Sequence, residues 1–153
     1  MSAEVRKLAK AAEIKLKELQ RCAPVPIAEL KSFPSSGGVY VISKGSQNLY
    51  AGLAKNLKRR LRQHINGKQI QSAFTLKLAA HDFRKTIEKV PSKSKLRSHK
   101  AFKKLYADTA SRIRLMNARY VEVENAKLRI VLEVFAGVTF NTRWNDFNGR
   151  GTL

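Results

Sequence analysis

The chain is poor in cysteine, in acid and in long apolar runs. One cysteine, Cys22, stands among 153 residues, so no internal disulfide can form and a reducing compartment is expected. The longest apolar run, residues 130–140, is interrupted by Glu133 and is too short to span a bilayer. Residues 1–20 are charged and amphipathic and do not read as a secretory signal. These features point to a cytoplasmic protein, and a bacterial or phage-like one is the expectation. No Cys/His metal cluster, Walker loop, nucleophilic triad, internal repeat or low-complexity domain is visible. The shortage of acid says most about partners. Eleven Asp and Glu face 31 Lys and Arg, a net charge of +20, with a pI near 10.6. Such a surface attracts polyanions, and nucleic acid is the leading partner. A membrane surface is the rival, but the basic residues spread along the whole chain instead of forming one juxtamembrane cluster. A hydrophobic fraction of 43% is enough for a packed core.

What remains has clear punctuation. Val5, Leu8, Ala12, Leu16 and Leu19 form one stripe of a helix over 3–21, which must end before Pro24 and Pro26. Residues 1–26 therefore read as a helical appendage, packed on the core or reaching for DNA, with 27–153 as one globular unit. Ser32 to Gly38 is a connection. Val39-Tyr40-Val41-Ile42 and Leu49-Tyr50-Ala51 suit two strands of a hairpin around Lys44-Gly45-Ser46. Gly52 then lets the chain break out. Asn56 is placed to cap a helix over 55–66, with Leu57, Leu61 and Ile65 as its apolar stripe. A short helix follows over 72–80, and 81–90 is ambiguous. Beyond Pro91 a helix is expected from Lys95 to Arg114. Nine basic residues between Arg84 and Lys104, against the single acid Glu88, suggest a phosphate-facing surface. Residues 116–124 alternate as a strand. Asn125 is expected to cap a last helix over 126–137, ended by Gly137. Trp144 and Phe147 read as core plugs in the closing loop.

Loop parity decides where the hairpin tyrosines point. An odd loop centred on Gly45 pairs Tyr40 directly with Tyr50 and puts both phenols on one face. A two-residue Gly45-Ser46 turn puts them on opposite faces. The odd loop is preferred, because it gathers two phenols with Arg60 and His64, which share an i,i+4 spacing on the next helix.

Glu133 is the most informative residue elsewhere. Its neighbours Leu128, Ile130, Val131, Leu132, Val134 and Phe135 predict a mostly buried helix. A carboxylate there needs a cation or a partner. The alternatives are a metal ion or a salt bridge to Arg129. The Arg-before-Glu order of that bridge is the weaker one on a helix. His81 and His99 match no motif and read as surface residues.

Taken in order, Gly38-Val39-Tyr40, Tyr50-Ala51-Gly52, Arg60, Glu133 and Asn145 resemble the GIY-YIG nuclease family. His64, one turn after Arg60, is similar to its restriction-enzyme-like branch. The resemblance covers roughly residues 35–148. One departure is Ala51, where the family usually carries Ile or Val; this costs core volume and no chemistry. The resemblance implies an α+β fold, with a small three-stranded antiparallel sheet flanked by helices and the N-terminal helix as an extra. It implies a divalent-metal-dependent DNA endonuclease, with Mg²⁺ or Mn²⁺ on Glu133. Arg60 would clamp the scissile phosphate, and Tyr40 or Tyr50 would activate water. His64 would share a proton or touch phosphate, and Asn145 would donate to a phosphate or hold the loop. Lys55, Lys58, Arg59 and Arg62 would grip duplex DNA. Cutting both strands from one site calls for a homodimer or two successive events. With no obvious separate targeting domain, a restriction-like or nonspecific nuclease is favoured over a homing or repair enzyme. The rival reading is a non-catalytic basic DNA- or RNA-binding protein that keeps the fold.

Overall fold

The computed structural model describes residues 1–146 apart from positions 88 and 90, and of Lys93 only the backbone. Phe147, expected as a core plug, and Glu88, the acid counted against nine bases, lie outside the described residues. The element order is α1 (Ala3–Arg21), β1 (Val25–Pro26), β2 (Gly38–Lys44), β3 (Gln47–Ala54), α2 (Leu57–Ile65), α3 (Ala73–Arg84), α4 (Lys93–Ser98), α5 (Lys100–Arg114), β4 (Asn117–Glu122) and α6 (Ala126–Thr139). The architecture is α+β, a small antiparallel sheet in the order β1-β4-β2-β3 flanked by helices. The three expected strands are joined by a fourth, β1, through the pairs Val25↔Ala118 and Pro26↔Asn117. Proline hid it from the sequence, since it reads as a breaker. On a sheet edge its missing N–H costs little.

The chain divides into two compact units, Met1–Leu61 with Met116–Asn145, and Arg62–Leu115 with the end of the chain. The boundary falls within α2.

In the first unit, α1 and α6 cover one face of the sheet. Val39, Val41, Ala51 and Val121 from that face pack with Val123, Ala12 and Leu19, and with Leu132 and Ala136 of α6. Each large aliphatic side chain buried this way contributes about 1.5–3 kcal/mol. Asn125 Oδ1 accepts from Leu128 N–H and caps α6 as the sequence predicts. The other end differs from expectation. Gly137 is buried inside the helix, which runs two residues further. Asn141, at φ 49°, turns the chain. Its N–H bonds Val138 C=O and the Thr142 N–H bonds Gly137 C=O, the paired bonds of a left-handed helix stop. Nor is α6 buried all round. Ile130, Val134 and Val138 are exposed, because only one side meets the sheet.

In the second unit, α3, α4 and α5 enclose their own core of Leu76, Ala79, Ala80, Phe83, Leu96, Phe102 and Tyr106. Ser72 caps α3 by accepting from Thr75 N–H, and residues 81–84 extend this helix. The single helix expected over 95–114 is two. It breaks at His99, whose extended backbone and ring Nδ1, accepting from Phe102 N–H, start α5 afresh. Arg112 and Asp82 tie α5 to α3 at 2.7 Å. Among the described residues no helix is long and apolar enough to cross a membrane.

Candidate active site

The hairpin departs from the expected pairing and yet reaches the expected outcome. Its turn has two residues, Gly45 and Ser46, with Lys44 opposite Gln47 and Ser43 opposite Asn48. A bulge then resets the register, so that Ile42 faces Tyr50 and Tyr40 faces Gly52. The extra residue is Leu49. Without it the two-residue turn would separate the tyrosines; with it they share a face as diagonal neighbours. Their ring centroids lie 6.4 Å apart at 46°. Direct Tyr40–Tyr50 pairing is thus corrected, while the shared face stands. Gly52 also differs from its expected role. It lies within β3, and a Cβ there would overlap the Tyr40 phenol, so glycine clears the space the ring occupies.

Arg60 enters from the first turn of α2, and that turn is firmly held. The carbonyls of Ser36 and Pro34 accept from Leu57 and Lys58 N–H, and Asn56 Oδ1 accepts from Arg59 N–H. Together they satisfy amides that a helix start leaves unpaired. The Arg60 guanidinium donates to both phenol oxygens. Burial works against its charge, but the two phenols outweigh burial and hold the cation above its ordinary value.

The phenols are shifted upward. Tyr40 is fully buried. Burial raises its pKa well above the ordinary tyrosine range, with Tyr50 and Glu133 adding to the shift and Arg60 opposing it. Tyr50 moves the same way, from burial first and Glu133 second, again against Arg60. Both phenols therefore hold their protons at neutral pH.

Glu133 stands at the open edge of the sheet. β3 is an edge strand, and its outward groups at Leu49, Ala51 and Leu53 need partners. Leu53 N–H donates to the Glu133 carboxylate. Asn145 takes both backbone groups of Ala51, accepting from its N–H and donating to its C=O, each at 2.7 Å. Thr142 Oγ1 donates to the same Asn145 oxygen at 2.6 Å. Trp144 N–H donates to Leu49 C=O at 2.9 Å. Glu133 is half-buried, not fully enclosed. Burial raises its carboxyl above the ordinary range, opposed by the Leu53 amide and by Arg60. Arg129, the alternative partner, is engaged elsewhere. Its Nη1 donates to the carbonyls of Val123 and Glu124 at 3.0 and 3.2 Å.

Tyr40, Tyr50, Arg60 and Glu133 thus interact as one cluster. Asn145 holds the strand that carries Tyr50. His64 is fully buried, with its Nδ1 hydrogen-bonded to Ser72 Oγ and its carbonyl accepting from Thr75 Oγ1. Its ring meets Phe74 edge-on at 6.0 Å. The seam of α2 is Leu57, Leu61 and His64, an i, i+4, i+7 stripe, with Ile65 only half-buried. Lys55, Arg59 and Arg62 are exposed and Lys58 is half-buried. Sequence reasoning missed Thr142 and the Leu53 amide, which orient Asn145 and Glu133; pairing at a strand edge leaves no compositional trace.

Among the described residues no three His, Cys, Asp or Glu side chains converge into a closed metal cage. The donor set is one half-buried carboxylate whose charge burial disfavours. That fits a hard divalent cation, which takes oxygen ligands, keeps several waters and draws the rest of its shell from substrate.

The chain is similar to the UvrABC system protein C of Aquifex aeolicus, 42% identical over 43 residues, which are 28% of this chain and 8% of that protein. It is 38% identical over 50 residues to the protein of that name from Fervidobacterium nodosum, covering 33% of this chain and 9% of the relative. The chain thus spans less than a tenth of the length of these curated relatives. No solved structure gives a significant match. The family model for the GIY-YIG catalytic domain matches residues 36–112, half of the chain. With both tyrosine motifs and Arg60 inside that match, the chain belongs to the GIY-YIG nuclease family.

Proposed function

We propose that this protein is a divalent-metal-dependent endonuclease that hydrolyses phosphodiester bonds of duplex DNA. The observation that carries the reading is one guanidinium bonded to two phenols, Tyr40 buried and Tyr50 half-buried, with a carboxylate in electrostatic reach. A protein that only binds DNA has no use for a carboxylate that repels phosphate at such a spot.

Arg60 binds a non-bridging oxygen of the scissile phosphate with parallel hydrogen bonds and offsets charge in the transition state. Tyr40 accepts the proton of the attacking water, and Tyr50 orients that water. In the protein alone burial outweighs Arg60, so the phenols are protonated, and cleavage should rise with pH from neutrality into the alkaline range. Glu133 would hold Mg²⁺ or Mn²⁺, which when bound polarises the phosphate and stabilises the leaving oxygen. Asn145 keeps β3, and so Tyr50, in place. His64 supports α2 through its bond with Ser72. Lys55, Lys58, Arg59 and Arg62 grip the phosphate backbone, and double-strand cutting would use a homodimer or two successive nicks.

Plasmid nicking tests the reading. Supercoiled DNA should be converted to open circle with Mg²⁺ or Mn²⁺ and not with chelator. Tight DNA binding without nicking under any divalent metal would leave a non-catalytic binder.

A further inference from the structure

The second unit carries a feature that the proposed cleavage chemistry does not use. The segment between α2 and α3 and the helices α4 and α5 border an open pocket of about 330 Å³, lined by Gly67, Lys68, Ile70, Arg97, Lys103 and Tyr106. The segment lies flush on α5, since a Cβ at Gly67 would sit 2.8 Å from Ala107 Cα. Asn66 Oδ1 fixes it by accepting from Lys68 N–H at 3.1 Å. The Tyr106 ring is fully buried and forms the floor, and its oxygen accepts from Ser72 N–H at 3.3 Å. Arg97 reaches Ile70 C=O only at 3.5 Å, so most of its fork remains available.

Charge makes the pocket unusual. Arg62–Leu115 contains fourteen Lys and Arg against three Asp and Glu. One of those acids, Asp82, is already paired with Arg112. Among the described residues, Lys68, Arg97 and Lys103 have no ion-pair partner. Cations scattered over a convex surface are ordinary solvated charges. Three lining one concavity raise the local positive potential, which an anion entering it would relieve.

We infer that this pocket seats a backbone phosphate of duplex DNA, a grip separate from the basic residues around α2. Its three cations, Lys68, Arg97 and Lys103, match the charged oxygens of a phosphodiester. The inference rests on the proposed nuclease reading for its partner, though not for its geometry.

The test uses the full chain, with Lys68→Ala/Lys103→Ala as the pocket variant. Both side chains are exposed, so the fold should melt as the parent does. Lys10→Ala/Lys17→Ala on α1 removes equal charge elsewhere. Binding of a labelled duplex is measured over a salt series without divalent ions. The pocket variant should lose about tenfold in affinity, and its slope of log K on log salt should fall by about 1.8, two contacts at roughly 0.9 each. The α1 variant should change the slope far less. Equal losses in both variants, or an unchanged slope in the pocket variant, overturn the inference. So does an unchanged duplex affinity with lost binding to phosphatidylserine vesicles, which would give the pocket to a membrane surface. Plasmid nicking by the parent separates the two readings. A flattened slope with no nicking under any divalent metal keeps the phosphate seat and fells the nuclease. Nicking with an unchanged slope does the reverse.

Discussion

Val39 and Val41 leave β2 on one side, and Tyr40 leaves it on the other. The first side is dry and apolar. It meets α1 and α6, and its contribution is almost wholly area removed from water. The second side also buries apolar residues, Ile42 and Ala118 among them, but it buries a polar group beside them. Tyr40 is as inaccessible as Val41, yet it brings a hydroxyl that only Arg60 and its neighbours make tolerable. Burial alone therefore does not tell a core residue from a working one. What separates the two faces is whether the buried group carries a proton or charge whose energy the surroundings set.

Substitutions on each side should separate cleavage from stability, and the largest effect on cleavage is expected at Glu133. Glu133→Gln should abolish metal-dependent nicking at nearly constant volume. DNA affinity and melting temperature without metal should hold or rise, since a carboxylate strained by burial is gone. The sign with pH follows. A carboxyl held above its ordinary value favours the folded state when protonated. That contribution is complete below the ordinary carboxylate range and is lost as pH rises through the raised value. The stability gap between variant and parent should widen over that window. A stable Glu133→Gln protein that still cuts would sink the metal-ligand role.

Tyr40→Phe comes next. It should slow nicking by about 100- to 10,000-fold, the usual worth of a general base, with DNA affinity preserved. Tyr50→Phe should lose less. Parent rates in both would make the tyrosines packing residues.

Asn145→Ala should act through the strand. Removing its amide strands the Ala51 N–H and C=O, at a cost of about 1–3 kcal/mol, with a partial loss of rate. Unchanged melting by calorimetry would mean water replaces the amide. Leu19→Ala, on the dry face, should cost about 2–5 kcal/mol and leave the rate per folded molecule unchanged. If nicking by the folded fraction fell with it, the two faces would not be independent.

The parts of the site legible in the sequence were those written in residue type. Tyr40, Tyr50, Arg60 and Glu133 gather into one cluster, and Asn56 and Asn125 stand where caps form. The bulge at Leu49 was not legible, because alternation of apolar residues cannot count an extra residue in one strand. Two short strand residues beside a proline were too few to signal β1. The partners of His64, Ser72 and Phe74, were not legible, since four-residue spacing from Arg60 says nothing of what lies beside the ring. The exposed side of α6 was not legible either, because an apolar run states only what a helix tolerates. It does not say how many sides of the helix are covered.

The edge of β3 has a consequence for solubility. A strand with bare N–H and C=O groups along one side is a template for another strand, and sheets that leave such edges open associate edge to edge. Here Trp144, Asn145 and Glu133 occupy that side at Leu49, Ala51 and Leu53. The carboxylate proposed to hold the metal thus also stands guard over the strand. Glu133→Gln keeps an oxygen for the Leu53 amide and should stay monodisperse. Glu133→Ala uncovers it, and on light scattering of concentrated samples should show a tendency to self-associate that has nothing to do with catalysis.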